Sequence, residues 1–369
     1  MNPFLKRAIR CNSHKFALSG RMINRGLTLV ELLVAMILSL LVIGAAVMAL
    51  LAGRRGAETV DIAGQLRDNG RFASELIQRL VVQTGFEDIR YAASPRAVDK
   101  AGYYALSGVD ITSFRPNLQG YNNAVPSSTD PLNGARAGGG SDVLILQYQS
   151  VKGNPFALDG GANSSDGSMI DCAGSAPSTS AAKRDDRIVS VLYVATDNQG
   201  EPSLMCMTRN DSGIFSATPL IRGVESFQVL YGVDNVEANT APTGDVSTVP
   251  NQYLRADQLQ VTNLSTEQEN ENATNTNWRR VRSVRVGLVL RGSEGSAQNA
   301  ENRIYFPLGG ENYSNVDDVG SRLAVNDNRL RHVVTFTVLL RNCQSQGYQP
   351  MPNDPTNRIP CNVVLPSLS

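Results

Sequence analysis

Histidine and tryptophan are almost missing from this chain of 369 residues, which contains two histidines and one tryptophan. Because histidine is the commonest general base and a frequent metal ligand, catalytic triads and multi-histidine metal sites are disfavoured. His14 lies near the N-terminus, and His332 belongs to a predicted strand region, where a structural histidine is far commoner than a catalytic one. A GxSxG nucleophile motif is also missing. These gaps predict that the chain is not an enzyme and uses no cofactor.

Phosphate-binding and metal-binding patterns are missing as well. Residues 138–140 are three glycines, but they precede a predicted strand, whereas a phosphate loop leads into a helix N-terminus. The acidic pieces at 197–201 and 317–318 lack the regular spacing of a calcium loop. Residues 197–201 are better explained as a hairpin turn between two strands. No metal site is therefore predicted.

The charge of the chain is unevenly distributed, although the net charge is formally zero. Residues 1–26 carry six Lys and Arg and no acidic residue, so this leader has a charge of +6. The body, residues 27–369, contains the remaining 28 Lys and Arg and all 34 Asp and Glu, so its net charge is about −6. Nucleic-acid binding needs a cationic surface, so we predict no direct nucleic-acid binding by the body.

Five cysteines are present, with Cys11 in the leader and four in the body, and none forms a CxxC pair. An even count in a segment that is exported predicts two disulfides rather than zinc or redox chemistry. Four cysteines allow three pairings. We favour Cys172–Cys206 and Cys343–Cys361, because these pairs close the shortest loops.

Residues 27–52 form one long apolar run with a single charge, Glu31, and no proline. A helix of this length spans the roughly 30 Å core of a bilayer. The run is too long for an ordinary secretory signal, so we expect it to be retained. The leader cations outnumber Arg54 and Arg55 on the far side, which places the N-terminus in the cytoplasm.

Glu31 is unusual, because a carboxylate at mid-bilayer costs on the order of 2.5–3.5 kcal/mol. Position alone leaves two readings open, a solvated residue at the headgroup edge or a residue with a function and a partner. The local sequence Arg25-Gly26-Leu27-Thr28-Leu29-Val30-Glu31 closely resembles the class III signal of type IV prepilins. That family usually has Phe after the cleaved glycine, and Leu27 departs from this pattern.

The resemblance implies a defined processing pathway. A prepilin peptidase would cut between Gly26 and Leu27 on the cytoplasmic side, and the new amino group of Leu27 would be methylated. Glu31 would then pair with the N-terminal amine of a neighbouring subunit. Opposite charges in an apolar bundle are costly alone and tolerable together, so this pair can set the register between subunits.

The helical pattern continues beyond the apolar run, over residues 53–84. Thr84-Gly85 provides a helix stop. Gly53, Gly56 and Gly64 permit bending, but glycines in a linker would look the same. The apolar positions that recur at three- and four-residue spacing, and that we expect to cover a sheet, are Ile62, Leu66, Ala73, Leu76, Ile77 and Leu80.

The segment at 65–89 resembles the PilW class of minor pilins, and so do later segments in the same order. These are residues 138–150, 220–234, 278–294 and 330–342. Strands are predicted at 143–149, 187–195, 203–208, 224–231, 281–290 and 332–340, with a shorter one at 304–307. The polar stretches 107–141, 152–186 and 234–277 are predicted to be loops.

The predicted fold is therefore of the α+β, type IV pilin-like class. A long N-terminal helix, with a membrane half and an amphipathic half, packs on an antiparallel β-sheet domain with long loops and two disulfides. The predicted parts are a removed leader at 1–26, a transmembrane and assembly helix at 27–52, an amphipathic helix at 53–84 and a periplasmic β-rich domain at 85–369.

The resemblance implies a structural subunit of the inner membrane that later enters the pilus fibre, at or near its tip. Its partners would be the major pilin, other minor pilins, prepilin peptidase and a PilC/PilY-type tip adhesin. A J-like pseudopilin of type II secretion is the main alternative. A periplasmic enzyme on an uncleaved signal anchor is a weaker one, and a 26-residue leader cannot supply the cytoplasmic domain of a sensor.

Processing can be tested directly by intact-mass analysis of the membrane form. The expected species begins at Leu27, because the signal places the cut after Gly26. A persistent full-length product in cells that contain the peptidase would contradict the prepilin assignment.

Overall fold

The computed structural model of the chain describes residues 28–88, 97–98, 104–105, 116–153, 164–182, 186–210, 212–243, 249–297, 299–315, 317–341, 349–351 and 354–359. The chain divides into two compact units, residues 1–57 and residues 58–369. Gly26 and Leu27 lie outside the described residues, and so do Cys343 and Cys361.

The described residues form two α-helices and a set of antiparallel strands. The helices are α1 (Leu29–Gln83) and α2 (Glu267–Arg279). The strands are β1 (Ala97–Val98), β2 (Tyr104–Ala105), β3 (Leu118–Tyr121), β4 (Ala124–Pro126), β5 (Ala135–Ala137), β6 (Val143–Tyr148), β7 (Ile188–Thr196), β8 (Pro202–Arg209), β9 (Phe215–Arg222), β10 (Val224–Val233), β11 (Gln252–Leu254), β12 (Val281–Arg291), β13 (Glu301–Tyr305), β14 (Leu323–Asp327), β15 (Arg331–Leu339), β16 (Gln349–Met351) and β17 (Asp354–Ile359).

Helix α1 is continuous over its whole length, and Gly53, Gly56 and Gly64 lie inside it without interrupting it. It ends where the sequence predicts, because Thr84 and Gly85 form a turn directly after Gln83. Gly85 has a φ of 77°, a conformation that glycine adopts at helix C-termini without steric cost. The Thr84 hydroxyl donates to the Leu80 carbonyl at 3.0 Å, which satisfies one of the last carbonyl groups of the helix.

A five-stranded antiparallel sheet has the strand order β3-β6-β7-β8-β9. All six residues of β6 are buried, since both faces of the sheet are covered in its centre. One face belongs to the main core, and the other forms a second core around Val143, Ile145 and Val191. The outer strand β9 is largely exposed and contains Pro219, which lies opposite Met205.

A four-stranded antiparallel sheet has the order β11-β10-β12-β15. The chain enters it directly from the first sheet, because only Gly223 separates β9 from β10. The registers place Phe227 opposite Leu288, and Leu288 opposite Val334. Strands β10 and β12 are therefore the apolar centre of this sheet, and β15 is one of its edges.

The second half of α1 packs into a core that contains residues of both sheets. Leu66, Ala73, Ile77 and Leu80 are buried there, with Val81. Ile62 and Leu76 are partly buried at its margin. The buried face predicted from the apolar spacing is thus confirmed. The histidine on β15, His332, lies close to Gly70 of the same helix, and burial lowers the pKa of its imidazole.

Asp142, the residue before β6, connects the two sheets. Its carboxylate accepts hydrogen bonds from the backbone N–H of Asn123 at 2.9 Å and of Val229 at 2.8 Å. Burial raises the pKa of Asp142 to about 7, although both hydrogen bonds oppose that change. Since an unfolded aspartate titrates near pH 4, the stabilisation linked to this proton is complete in acid and is lost as the pH rises through about 7.

A disulfide joins Cys172 to Cys206 across 34 residues, as the loop-length argument favoured. It fixes the segment before β7 onto strand β8, and the Cys172 N–H also donates to the Ser190 hydroxyl at 3.0 Å. Closing a loop of this length stabilises a fold by about 3–4 kcal/mol in the chain-entropy model. The second predicted pair, Cys343–Cys361, lies outside the described residues and stays a prediction.

Two stretches predicted to be loops contain regular structure, so that prediction was wrong in part. Residues 234–277 include β11 and most of α2, and residues 107–141 include β3, β4 and β5. Helix α2 has too few apolar residues to show a 3.6-residue period. It is started instead by a capping box, in which Thr266 accepts from the Glu269 N–H at 3.2 Å and Glu269 accepts from the Thr266 N–H at 3.0 Å.

The predicted strands of the two main sheets are confirmed with small shifts at their ends. Strands β9 and β14 were not predicted. Strand β9 is largely exposed, and β14 has five residues, none of them buried. The hairpin turn at 197–201 is confirmed. There the Asp197 carboxylate accepts from the N–H of Gln199 at 2.8 Å and of Glu201 at 3.1 Å.

The close contact between α1 and β15 predicts opposite effects for two Gly→Ala substitutions in the same helix. A Cβ on Gly70 would lie 2.6 Å from Val334 Cγ2 and 3.3 Å from His332 Cδ2, whereas Gly64 has no atom within 4 Å of that position. Gly64→Ala should raise the free energy of unfolding by up to about 1 kcal/mol through helix propensity. Gly70→Ala should lower it by about 1–3 kcal/mol through overpacking.

Thermal unfolding of the detergent-solubilised full chain, followed by near-ultraviolet circular dichroism, measures both effects. Equal stabilisation by the two substitutions would show that α1 does not rest closely on β15.

Candidate assembly surface

The first half of α1 exposes a continuous apolar surface. Large hydrophobic side chains at least 45% exposed occur at Leu29, Val30, Leu32, Leu33, Val34, Met36, Ile37, Leu38, Leu40, Leu41, Val42, Ile43, Val47, Met48, Leu50 and Leu51. They surround the helix on all sides, because consecutive positions are included. A surface of this kind marks contact with lipid or with other protein. By length and composition, α1 is the one described helix able to cross a membrane.

Glu31 lies in the first turn of α1, within this apolar surface. Its N–H donates to the Thr28 hydroxyl at 3.3 Å, and the Leu32 N–H donates to the Thr28 carbonyl at 3.2 Å, so Thr28 caps the helix. A carboxylate in the first turn is favoured by the helix dipole, by about 0.3–1 kcal/mol at an exposed site.

This arrangement leaves a negative charge that needs a partner in an apolar environment. Among the residues that the structure describes, no cation pairs with the Glu31 carboxylate. A cationic group from outside would offset the cost of removing this carboxylate from water. The resemblance to type IV prepilins implies the methylated amine of Leu27 from a neighbouring subunit for this role. Gly26 and Leu27 lie outside the described residues, so processing and pairing stay predictions.

The second half of α1 has exposed apolar residues that the apolar spacing did not indicate. Val60 is 70% exposed and Phe72 is 55% exposed, on the side of the helix away from the core. Arg71 and Glu75 form an ion pair at 2.8 Å on the same surface, and both side chains are mostly exposed. Such a pair contributes little stability. The only sequence signal for Val60 and Phe72 is that both lie outside the predicted buried face.

The other charged cluster is structural. The Arg331 side chain is 1% exposed and contacts both Glu225 and Asp327 at 2.6 Å. Hydrogen bonds from Arg331 hold the pKa of Asp327 down at about 2. This cluster ties β15 to β10 and β14, and no group of three or more potential metal ligands occurs in the described part of the chain. The disulfide Cys172–Cys206 likewise serves the fold of the second unit.

Comparison with known proteins gives two family matches. Residues 191–342 match the model of the type IV pilus-assembly protein W family. Residues 21–47 match the prokaryotic N-terminal methylation motif, a stretch that contains the predicted cleavage position and Glu31. Among curated proteins, none matches the chain.

One solved structure is similar at a low level. A type IV-like pilin from Thermus thermophilus aligns with 75% of this chain and 97% of its own length, at 11% sequence identity and a TM-score of 0.33. So low a score carries no argument about details of the fold or about function.

The apolar surface predicts a position-dependent effect of a new charge on membrane retention. Val42 and Val60 lie on the same helix and are 69% and 70% exposed, but only Val42 lies within the apolar run. Val42→Lys should reduce the fraction of protein that resists carbonate extraction, because a lysine near the centre of a membrane helix costs on the order of 2.5–3.5 kcal/mol. Val60→Lys, the matched control, should leave that fraction unchanged. Equal retention of the two variants would mean that the run around Val42 is not embedded in lipid.

Proposed function

Since the chain is a PilW-type pilin with a prepilin signal, we propose that it is a minor pilin that helps to initiate type IV pilus assembly. In this proposal it joins other minor pilins in a complex that primes the fibre and stays at its tip. The observation that carries the proposal is the family match over residues 191–342. That segment extends from β7 through β15 and so covers most of both main sheets.

The N-terminal unit would supply the assembly contacts. Before assembly the helix at 27–52 would be held in the inner membrane, with its N-terminus in the cytoplasm and the domain at 85–369 in the periplasm. Prepilin peptidase would cut after Gly26, and Leu27 would become the methylated N-terminus. Glu31 would then pair with the amine of an adjacent subunit while the apolar helices pack together. A wrong register would leave both charges in an apolar bundle without a partner, which is strongly unfavourable.

The folded unit would provide the neighbour contacts that distinguish a minor pilin from the major one. In its part of α1 the positions from Leu66 to Val81 that face the core are buried, so exposed positions such as Val60 and Phe72 remain for neighbours. The proposed partners are the major pilin, other minor pilins and a PilC/PilY-type tip adhesin. The proposed role is structural, and it involves no catalytic step.

A clean deletion in the native host, scored in parallel for surface pili and for type II exoprotein secretion, tests this function. We expect few or no pili and normal secretion. Wild type and Glu58→Ala should restore pili, and Glu31→Ala should not. Glu58 is the matched control, because it is an exposed glutamate on the same helix beyond the apolar run.

Normal pili with blocked secretion would instead assign the chain to the pseudopilins of type II secretion. Full restoration of pili by Glu31→Ala would remove the proposed role of the charge pair.

A further inference from the structure

Asparagine is followed by glycine at two places in the chain, Asn69-Gly70 and Asn133-Gly134. This dipeptide is chemically labile. Because glycine lacks a side chain, its backbone nitrogen can approach the carboxamide carbon of the preceding asparagine. As dipeptides the two pairs are equivalent, but they lie in different surroundings in the structure.

The first pair is protected by helix α1. Both of its residues lie inside the helix, where each backbone N–H donates to the carbonyl four residues earlier. Gly70 is also buried, and a Cβ on it would lie 2.6 Å from Val334 Cγ2. Attack by the Gly70 nitrogen on the Asn69 side chain requires the backbone to leave the helical conformation. Since this part of α1 is packed on the core, such an opening is rare.

The second pair lies in the connection of the β4–β5 hairpin. Both strands have only three residues, and residues 127–134 join them. Asn133 is exposed and belongs to a turn rather than to a helix or a strand. A short surface hairpin opens locally at a far lower free energy than a core helix. The Asn133 backbone can therefore adopt the conformation for ring closure much more often than the Asn69 backbone.

The Asn133 amide helps to hold this turn closed. The Asp130 carboxylate accepts hydrogen bonds from the Asn133 N–H at 3.3 Å and from its Nδ2 at 2.6 Å. The neighbouring Leu132 packs against the second core, and its carbonyl accepts from the Tyr121 hydroxyl at 3.1 Å. Conversion of the amide to an acid replaces the Nδ2 donor with an oxygen. Two carboxylates then lie where a hydrogen bond was, and like charges so close together repel each other.

We propose that Asn133 is a site of spontaneous deamidation and that its modification opens the β4–β5 hairpin. The Gly134 backbone nitrogen forms a bond to the Asn133 carboxamide carbon, and the bond from that carbon to Nδ2 breaks. The proton of the Gly134 N–H ends on the departing ammonia, which leaves a cyclic succinimide. Water then opens the ring at either carbonyl, to aspartate or to isoaspartate. No electrons are exchanged, and water is the only co-reactant.

The modification adds one negative charge to the turn. The isoaspartate product also adds one atom to the backbone between Leu132 and β5. Both changes act against the closed turn that the hydrogen bonds to Asp130 hold. The proposal goes beyond the minor-pilin function and does not depend on it, since the reaction is measured on the isolated protein.

The two Asn-Gly pairs provide an internal comparison for the test. The full chain in neutral detergent is incubated at mildly alkaline pH, digested and mapped by mass spectrometry with a fragmentation method that separates aspartate from isoaspartate. We expect deamidation at Asn133 to be at least roughly tenfold faster than at Asn69. In denaturant the two rates should become similar, because the protection of Asn69 by α1 is then lost.

Gly134→Ala tests the chemistry without disturbing the turn. The nearest atoms to a Cβ on Gly134 are the Asp130 carbonyl oxygen and Ser127 Cβ, both at 3.7 Å, so the added methyl group fits. It hinders the approach of the nitrogen, and deamidation at Asn133 should become roughly tenfold slower. Circular dichroism confirms that the variant is folded.

Tryptic cleavage after Arg136, an exposed residue of β5, tests the opening of the hairpin. Asn133→Asp, which carries the charge of one product, should be cleaved faster there than the wild type. Asn133→Ser is the matched control, because it removes the same Nδ2 hydrogen bond without adding a charge. It should be cleaved more slowly than Asn133→Asp.

Three results would overturn the proposal. One is equal deamidation of Asn69 and Asn133 in the folded protein, or none at Asn133. Another is an unchanged rate at Asn133 in Gly134→Ala, which would exclude attack by the backbone nitrogen. The third is equal cleavage of Asn133→Asp and Asn133→Ser after Arg136, which would show that the new charge does not open the hairpin. Loss of pili in the deletion strain is independent of all three results.

Discussion

One row of apolar side chains on α1 holds the second unit together. From Leu66 to Val81 these side chains are buried in a core that includes residues of both main sheets. Each fully buried aliphatic side chain contributes on the order of 1.5–3 kcal/mol, so this face of the helix contributes much of the stability of the unit. The absence of a side chain at Gly70 allows the helix to approach β15 closely, and larger residues there would separate the helix from the sheet.

The same helix meets two different environments along its length. In its second half one face is buried by the protein itself, whereas in its first half the apolar side chains are exposed all round. The helix itself is not interrupted between the two halves, since α1 is continuous from Leu29 to Gln83. Composition marks the end of the apolar run at Arg54 and Arg55. Packing against the core begins further on, at Ile62 and Leu66. Glu31 is the exception in the first half of the helix, because it is a charged residue on an otherwise apolar surface.

Much of the fold could be predicted because the signals were long or local. The helix shows many apolar repeats, its stop is a Thr-Gly pair, and the strands of the sheet centres are rich in β-branched residues. The Cys172–Cys206 bond follows from loop length. Helix α2 could not be found by periodicity, since its sequence is almost wholly polar and its start depends on the side chains of Thr266 and Glu269.

The same reasons decide which features outside the core could be identified from the sequence. Glu31 could be identified because a lone charge in an apolar run is conspicuous in the sequence itself. Strand β3 and helix α2 could not, because both lie in stretches whose composition indicates loops. Strand β3 has only four residues, and α2 has no apolar stripe.

The two ends of the five-stranded sheet are not equivalent. At one end β3 is largely buried, with Leu118 0% exposed, whereas the strand at the opposite end, β9, is largely exposed and contains Pro219, a residue without an N–H group to donate. Proline on an outer strand blocks regular pairing with a further strand. One outer strand of this sheet is therefore covered by the protein, and the other is interrupted by proline. Edge-to-edge stacking of these domains through the five-stranded sheet is thereby disfavoured, which limits aggregation of the folded unit.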